Sequence, residues 1–181
     1  MVEFKDIKVL AMDVDGTLTD GSMVWLGNEQ VKFFNAQDGL GMSIAMKLGL
    51  IIVWITGSSS LAIESRANVI GINKLFDACA NKADAIEKVM EDYKVNSCEI
   101  AYMGDDLNDI PALKKVGFPI AVNNAVEEVK DIAKYITEHH GGRGAVREVV
   151  EHILKEQGKW EDVVNSFEKY AFAHKPYDVK Q

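Results

Sequence analysis

Long apolar runs are missing from this 181-residue chain. None approaches the ~20 residues a membrane-spanning helix needs. The opening MVEFKDIKV also lacks the apolar stretch of a signal peptide. Cysteine is scarce, with only Cys79 and Cys98 present. So spaced, the two make neither a metal-ligand motif nor a disulfide framework, and free thiols point to a reducing compartment. An excess of positive charge is absent too. The formal net charge of −8 disfavours nucleic acid and anionic membranes as partners. No repeat or low-complexity tract interrupts the chain. These absences lead us to expect a cytoplasmic protein that does not enter membranes. Its 48% hydrophobic content suffices for one core.

What is present alternates. IKVLAM (7–12) reads as a buried strand, and residues 23–34 as a hairpin turning at Gly27-Asn28. A helix is expected over 39–47, a strand over 50–56, a serine-capped helix over 58–71 and a short strand over 74–76. A helix over about 81–93, the strand EIAYMG (99–104), a helix begun near Pro111 and the strand FPIAV (118–122) follow. A helix near 125–133 and a YIT strand (135–137) complete the series. Strands alternating with helices predict an α/β fold of Rossmann type, a mostly parallel sheet with helices on both faces. Beyond it, GAVREVVEHILKEQ carries an apolar stripe of Ala145, Val146, Val149, Val150, Ile153 and Leu154. A helix is expected over 160–170 and a mobile or partner-bound tail over 171–181.

Sites in such sheets lie beyond the carboxyl ends of the strands. The polar residues gather there three times. Asp13 and Asp15 in MDVDGT share a face of the strand end, so one could be a nucleophile and the other a general acid/base. For an isolated D-x-D a capping turn is the favoured explanation. Asp105, Asp106 and Asp109 in GDDLND offer hard oxygen ligands suited to Mg²⁺, or simply an acidic helix start. Thr56-Gly57 could present a hydroxyl and backbone N–H groups to a phosphate, or cap a helix. Lys82 opens a helix, where the macrodipole disfavours a cation unless it faces an anion; most lysines are surface residues. The set as a whole suits phosphoryl transfer to a carboxylate.

DVDGT, ITG, Lys82 and GDDLND, in that order, resemble the four motifs of the haloacid dehalogenase superfamily. The resemblance implies that Asp13 forms an aspartyl-phosphate, and that Asp15 protonates the leaving oxygen and then activates water. It implies that Thr56, Gly57 and Lys82 hold the phosphoryl group. Asp13, the backbone carbonyl of Asp15, and Asp105 would bind Mg²⁺, supported by Asp106 and Asp109. The intervals between motifs hold a hairpin and single helices, so no cap domain fits.

LTDGSMVWLGNEQVKFFNAQDGLGM (18–42), GDDLNDIPALKKVGFPIAVNNAVEEV (104–129) and GGRGAVREVVEHIL (141–154) are similar to the capless 3-deoxy-D-manno-octulosonate 8-phosphate phosphatases of lipopolysaccharide precursor synthesis. That similarity implies a phosphatase domain over 1–158, with a hairpin flap at about 20–36, in a homotetramer. Residues 159–181 lie past it, unassigned. Asn35, Asp38 and Gly39 would face the substrate, with Arg66 and Arg143 as candidate anion contacts. Octulosonate phosphatases commonly carry arginine after ITG, and the related nonulosonate 9-phosphate phosphatases can carry glutamate. Ser58 stands here instead. The GGRGAVRE segment favours the octulosonate, with the nonulosonate as the alternative substrate. A non-catalytic oligomeric scaffold is the reading from a different class, and the full motif set argues against it.

Overall fold

The computed structural model describes residues 2–169. The apolar strand VLAM becomes β1 (Val9–Met12), buried at every position. The expected hairpin is β2 (Val24–Leu26) and β3 (Glu29–Val31), paired antiparallel as a separate two-stranded sheet. The remaining elements are α1 (Ala36–Lys47), β4 (Ile51–Ile55), α2 (Leu61–Ile70), β5 (Lys74–Phe76), α3 (Lys82–Tyr93), β6 (Ile100–Gly104), α4 (Ile110–Leu113), β7 (Phe118–Ala121), α5 (Glu127–Lys130), β8 (Tyr135–Ile136), α6 (Ala145–Glu156) and α7 (Trp160–Asn165).

Six strands form one sheet in the order β5-β4-β1-β6-β7-β8, and every pairing in it is parallel. The chain first builds outward from β1 to β4 and β5, then crosses back to β6 and continues to β8. Right-handed crossovers therefore set α1 and α2 on one face and α3 to α5 on the other. The packing agrees, with α1 against α2 and α6, and α3 against α4. The reversal leaves a crevice at the carboxyl ends of β1, β4 and β6, where open sheets of this kind take their ligands.

Local chemistry explains most boundaries. Helix α1 starts earlier than its apolar pattern suggests, because the Asn35 side chain caps it, accepting from the amides of Gln37 and Asp38. Among the serines before α2, Ser60 is the cap, and Gly71 closes the helix in the left-handed conformation. α5 is shorter than expected, covering only Glu127–Lys130. All six residues of the α6 stripe are buried. α7 covers part of the expected 160–170 helix. Val163 enters the core while Val164 and Phe167 stay exposed, and Arg147 lies over the Trp160 ring at 5.1 Å. The expected tail over 171–181 lies outside the described residues. Between Asp15 and Thr56 stand only the hairpin, α1 and β4, and between Thr56 and Lys82 only α2 and β5.

Candidate active site

Asp13 directly follows β1 and is 4% exposed. Its amide continues the ladder by donating to the Met103 carbonyl of β6, 3.0 Å away. The next turn brings Gly16 against the loop after β6. A Cβ on Gly16 would lie 2.0 Å from Asp105 Oδ2, and its φ is +104°. Only glycine allows the two loops to approach so closely. A second glycine-rich loop backs the first: a Cβ on Gly141 would lie 1.7 Å from the Gly16 carbonyl oxygen. The GGRG segment is thus a packing surface for the first motif.

Lys82, at the first turn of α3, is 3% exposed and points into this crevice. Its Nζ donates to Asp13 Oδ1 and, at 2.7 Å, to Asp109 Oδ1. Asp109 is fully buried and accepts on both oxygens. Oδ1 also takes the Tyr102 hydroxyl at 2.7 Å, and Oδ2 takes the amides of Asp105 at 2.9 Å and Asp106 at 3.3 Å. Asp105 is held by the Thr17 hydroxyl, which donates to its Oδ1 at 3.2 Å. Asp13, Asp105 and Asp109 each bring a carboxylate oxygen within 4.8 Å of the others.

The electrostatics follow from three carboxylates sharing one ammonium. Burial, then the charge of Asp109, pushes the Asp13 carboxyl well above the usual range, against the opposing pull of Lys82. Burial and Asp109 likewise push Asp105 up to about 7. Burial works against the charge of Lys82, yet Asp13 and Asp109 raise it overall. In all three, neighbouring carboxylates act in the raising direction, adding to burial at Asp13 and Asp105 and outweighing it at Lys82. Burial also pushes Tyr102 up, which keeps its phenol a neutral donor to Asp109. A divalent cation suits a site with more carboxylates than ammonium groups and hard oxygen donors. Asp109 has no free oxygen for it, so Asp13 and Asp105 are the carboxylates fitted to hold one.

Asp15 sits beside this cluster on a different set of partners. Lys32, from the end of the hairpin, donates to its Oδ1, and the Ser58 hydroxyl donates to Oδ2 at 3.1 Å. The Lys32 side chain is 3% exposed. Thr56 is 1% exposed, and its hydroxyl oxygen accepts the Ser58 amide at 3.0 Å, shaping the loop after β4. Gly57 lies in that loop.

The structure thus gathers Asp13, Lys82, Asp105 and Asp109 in one bonded cluster, with Asp15 and Thr56 at the same sheet edge. Asp106 turns away and caps its own 3₁₀ turn at the Leu107 amide, 2.7 Å. Asp38 is 1% exposed, and its Oδ1 accepts the Arg147 amide at 2.7 Å. The physical reason is that Gly144, at the start of α6, has no side chain to cap that helix, so a carboxylate from α1 does so. Asp38 Oδ1 is therefore engaged at the α1–α6 interface, while its Oδ2 is buried without a hydrogen-bond partner. Gly39 is buried against Arg66, whose Nη2 would lie 2.3 Å from a Cβ there, and Arg66 also lies over the Phe34 ring at 5.9 Å. Asn35 is occupied as the α1 cap. All four stand at the seam between α1 and its neighbours, where Arg66 Nε, like Asp38 Oδ2, is buried without a hydrogen-bond partner and Asn35 also lines the cleft that Arg143 reaches. Arg143 pairs with Asp20 at 3.0 Å and lines a cleft of about 460 Å³ beside the hairpin, with Ser22, Phe33 and Phe34.

Sequence reasoning missed Lys32, Thr17 and Tyr102. Tyr102 left a trace, since a phenol inside a buried strand needs a partner. Lys32 left none, because a hairpin lysine reads as a surface residue. Cleft size does not find the site either. A cleft of about 960 Å³ opens by Lys8 and Glu99, at the amino ends of β1 and β6, far from the acids.

The family described as haloacid dehalogenase-like hydrolase matches residues 55–150. The chain is 38% identical to the 3-deoxy-D-manno-octulosonate 8-phosphate phosphatase KdsC of Escherichia coli (strain K12), covering 87% of this chain and 85% of that protein. It is 37% identical to the phosphatase of the same name from Yersinia pestis, over 86% of this chain and 84% of that one. Among solved structures, the phosphatase from Moraxella catarrhalis in complex with magnesium ion, phosphate ion and KDO superposes with a TM-score of 0.88. It shares 38% identity, with 91% of this chain and 95% of that one covered. The cobalt-bound deoxy-D-mannose-octulosonate 8-phosphate phosphatase from Haemophilus influenzae gives a TM-score of 0.87 at 33% identity, covering 92% and 98%.

Proposed function

The chain belongs to the haloacid dehalogenase-like hydrolases, and from that premise we propose that it is a Mg²⁺-dependent phosphatase of 3-deoxy-D-manno-octulosonate 8-phosphate. The products are 3-deoxy-D-manno-octulosonate, a lipopolysaccharide precursor, and phosphate. The observation that carries the reading is the buried Asp13–Lys82–Asp109 cluster with Asp105 beside it.

In this reading Asp13 attacks phosphorus as the bond from phosphorus to the sugar oxygen breaks. Asp15 gives its proton to that leaving oxygen. Water, losing a proton to Asp15, then attacks the aspartyl-phosphate, and the bond from phosphorus to Asp13 breaks to release phosphate. Thr56, the backbone at Gly57 and Lys82 bind the phosphoryl oxygens. Lys82 neutralises charge on the group in transit, and Asp109 aims it. Asp13, the Asp15 carbonyl and Asp105 would hold Mg²⁺, which when bound supplies positive charge against the phosphoryl oxygens. Asp106 supports the site only through its loop. Residues 1–158 form the phosphatase domain, with 159–169 as an extension packed on α6.

The hairpin exposes Met23 and Trp25 at 63%, Phe33 at 64% and Leu26 at 75%. An apolar group of this kind on a flap supports the homotetramer, with a neighbouring copy against it. No described helix is long and apolar enough to cross a membrane, and the reading places the enzyme in the cytoplasm. Phosphate release from the octulosonate phosphate tests the function. Wild type is expected to be active with Mg²⁺ and silent with chelator, and Asp13→Asn inactive. Unchanged release by Asp13→Asn would remove the proposed nucleophile.

A further inference from the structure

Lys32 has no part in the chemistry described above, yet its side chain is 3% exposed, on a hairpin whose strand β2 is exposed at all three residues. A lysine buried in this way is usually paired, and here the partner is Asp15 Oδ1. Four residues after Lys32 the chain enters α1, and on the way Phe34 stacks on Trp54 of β4 with centroids 6.0 Å apart. The base of the hairpin is thus fixed to the core, and Lys32 reaches from it to the carboxylate.

The two partners of Asp15 differ in kind. An ammonium can only donate, so Lys32 fixes Oδ1 as an acceptor. A serine hydroxyl can donate to a carboxylate or accept from a carboxylic acid. Ser58 therefore tolerates a proton on Oδ2. With Oδ1 held, the carboxyl plane of Asp15 is set, and Oδ2 becomes the edge that passes a proton to the leaving oxygen.

We propose that Lys32 is a positioning residue of the reaction: carried by the hairpin, it orients Asp15 for proton transfer to the leaving group. The inference rests on the phosphatase reading. It makes the hairpin part of the catalytic apparatus through one side chain, in addition to any role as a cover.

Leaving groups provide the test. 4-Nitrophenolate departs without a proton, whereas a sugar alkoxide needs one. kcat/KM covers the steps up to the first irreversible one, the departure of the leaving group. Lys32→Met keeps the length of the stem and removes the charge. Its kcat/KM is expected to fall by at least tenfold more on 3-deoxy-D-manno-octulosonate 8-phosphate than on 4-nitrophenyl phosphate, and Lys32→Arg should recover most of the loss. Equal losses on both substrates, as a folding or flap defect would give, overturn the proposal, and so does no loss. Wild type reports on the function separately. If it hydrolyses 4-nitrophenyl phosphate but not the octulosonate phosphate, the substrate reading fails. The Lys32 comparison then uses whichever alkyl phosphate the enzyme does hydrolyse.

Discussion

Asp109→Asn is the substitution that most directly interrogates how the site is held together. The change is nearly isosteric, but it replaces one acceptor oxygen by an NH₂ donor. Asp109 faces donors on both sides: Lys82 Nζ and the Tyr102 hydroxyl at Oδ1, and two backbone amides at Oδ2. An asparagine must turn its NH₂ toward one side or the other. Facing the amides, it would oppose two N–H groups that have no other freedom. Facing Lys82 and Tyr102 is the cheaper choice, because the phenol can reverse and accept. The cost is then a charge-assisted hydrogen bond to Lys82, about 1.5–3 kcal/mol, and a buried phenolic hydrogen left unpaired, about 1 kcal/mol or more. We take about 3 kcal/mol as the expected loss. For a domain of this size each kcal/mol moves Tm by about 2–4 °C, so Tm should drop by about 6–12 °C. The assay is thermal unfolding followed by circular dichroism in chelator, which removes any contribution from bound metal. Tyr102→Phe serves as the partner variant, since it removes the donor that asparagine leaves stranded. Its effect in the Asp109→Asn background should be smaller than in wild type. A Tm within about 2 °C of wild type for Asp109→Asn would refute the network as drawn.

Three further outcomes are expected. Asp105 is held near 7 in the folded protein, above the ordinary unfolded value of about 3.9. The folded state therefore binds more protons than the unfolded state between about pH 4 and about pH 7, and chelated protein should lose stability as pH rises across that window. Melting at fixed pH steps reads this, and the slope should flatten in Asp105→Asn; a rise in Tm with pH that Asp105→Asn leaves unchanged would contradict it. Gly16→Ala drives a methyl group to 2.0 Å from Asp105 Oδ2 at a φ of +104°, so it should abolish Mg²⁺-dependent phosphate release, and a variant with normal activity would show that the two loops can separate. If the proposed homotetramer forms through the hairpin face, Leu26→Glu should give smaller species than wild type in light scattering; a wild-type monomer at micromolar concentration would refute that proposal.

Much of the fold was legible because its signals are local. The stripe from Ala145 to Leu154 has helical spacing, and all six of its residues are buried. The Gly27-Asn28 turn announced the hairpin, and the helix expected over about 81–93 is α3. The acids at strand ends were legible for a topological reason, since every strand of a parallel sheet delivers its carboxyl end to one edge. The packing around the candidate substrate contacts was less legible. Asn35 and Asp38 each cap a helix start, and Gly39 packs against Arg66, contacts that the sequence alone did not show. Asp38 meets Arg147 across 109 residues, and no local pattern encodes a partner that far away.

The sequence by itself determined the order of elements, the edge at which chemistry gathers, and the residue types available there. These depend on periodicity, capping and strand direction, which act over a few residues. Only the tertiary structure decided which carboxylate is left free and which is occupied. It spends Asp109 on Lys82 and Tyr102, leaves Asp105 with a single threonine hydroxyl, and lowers Lys32 from the hairpin onto Asp15. Those assignments depend on burial and on donors brought from distant segments, and burial sets the cost of an unpaired charge.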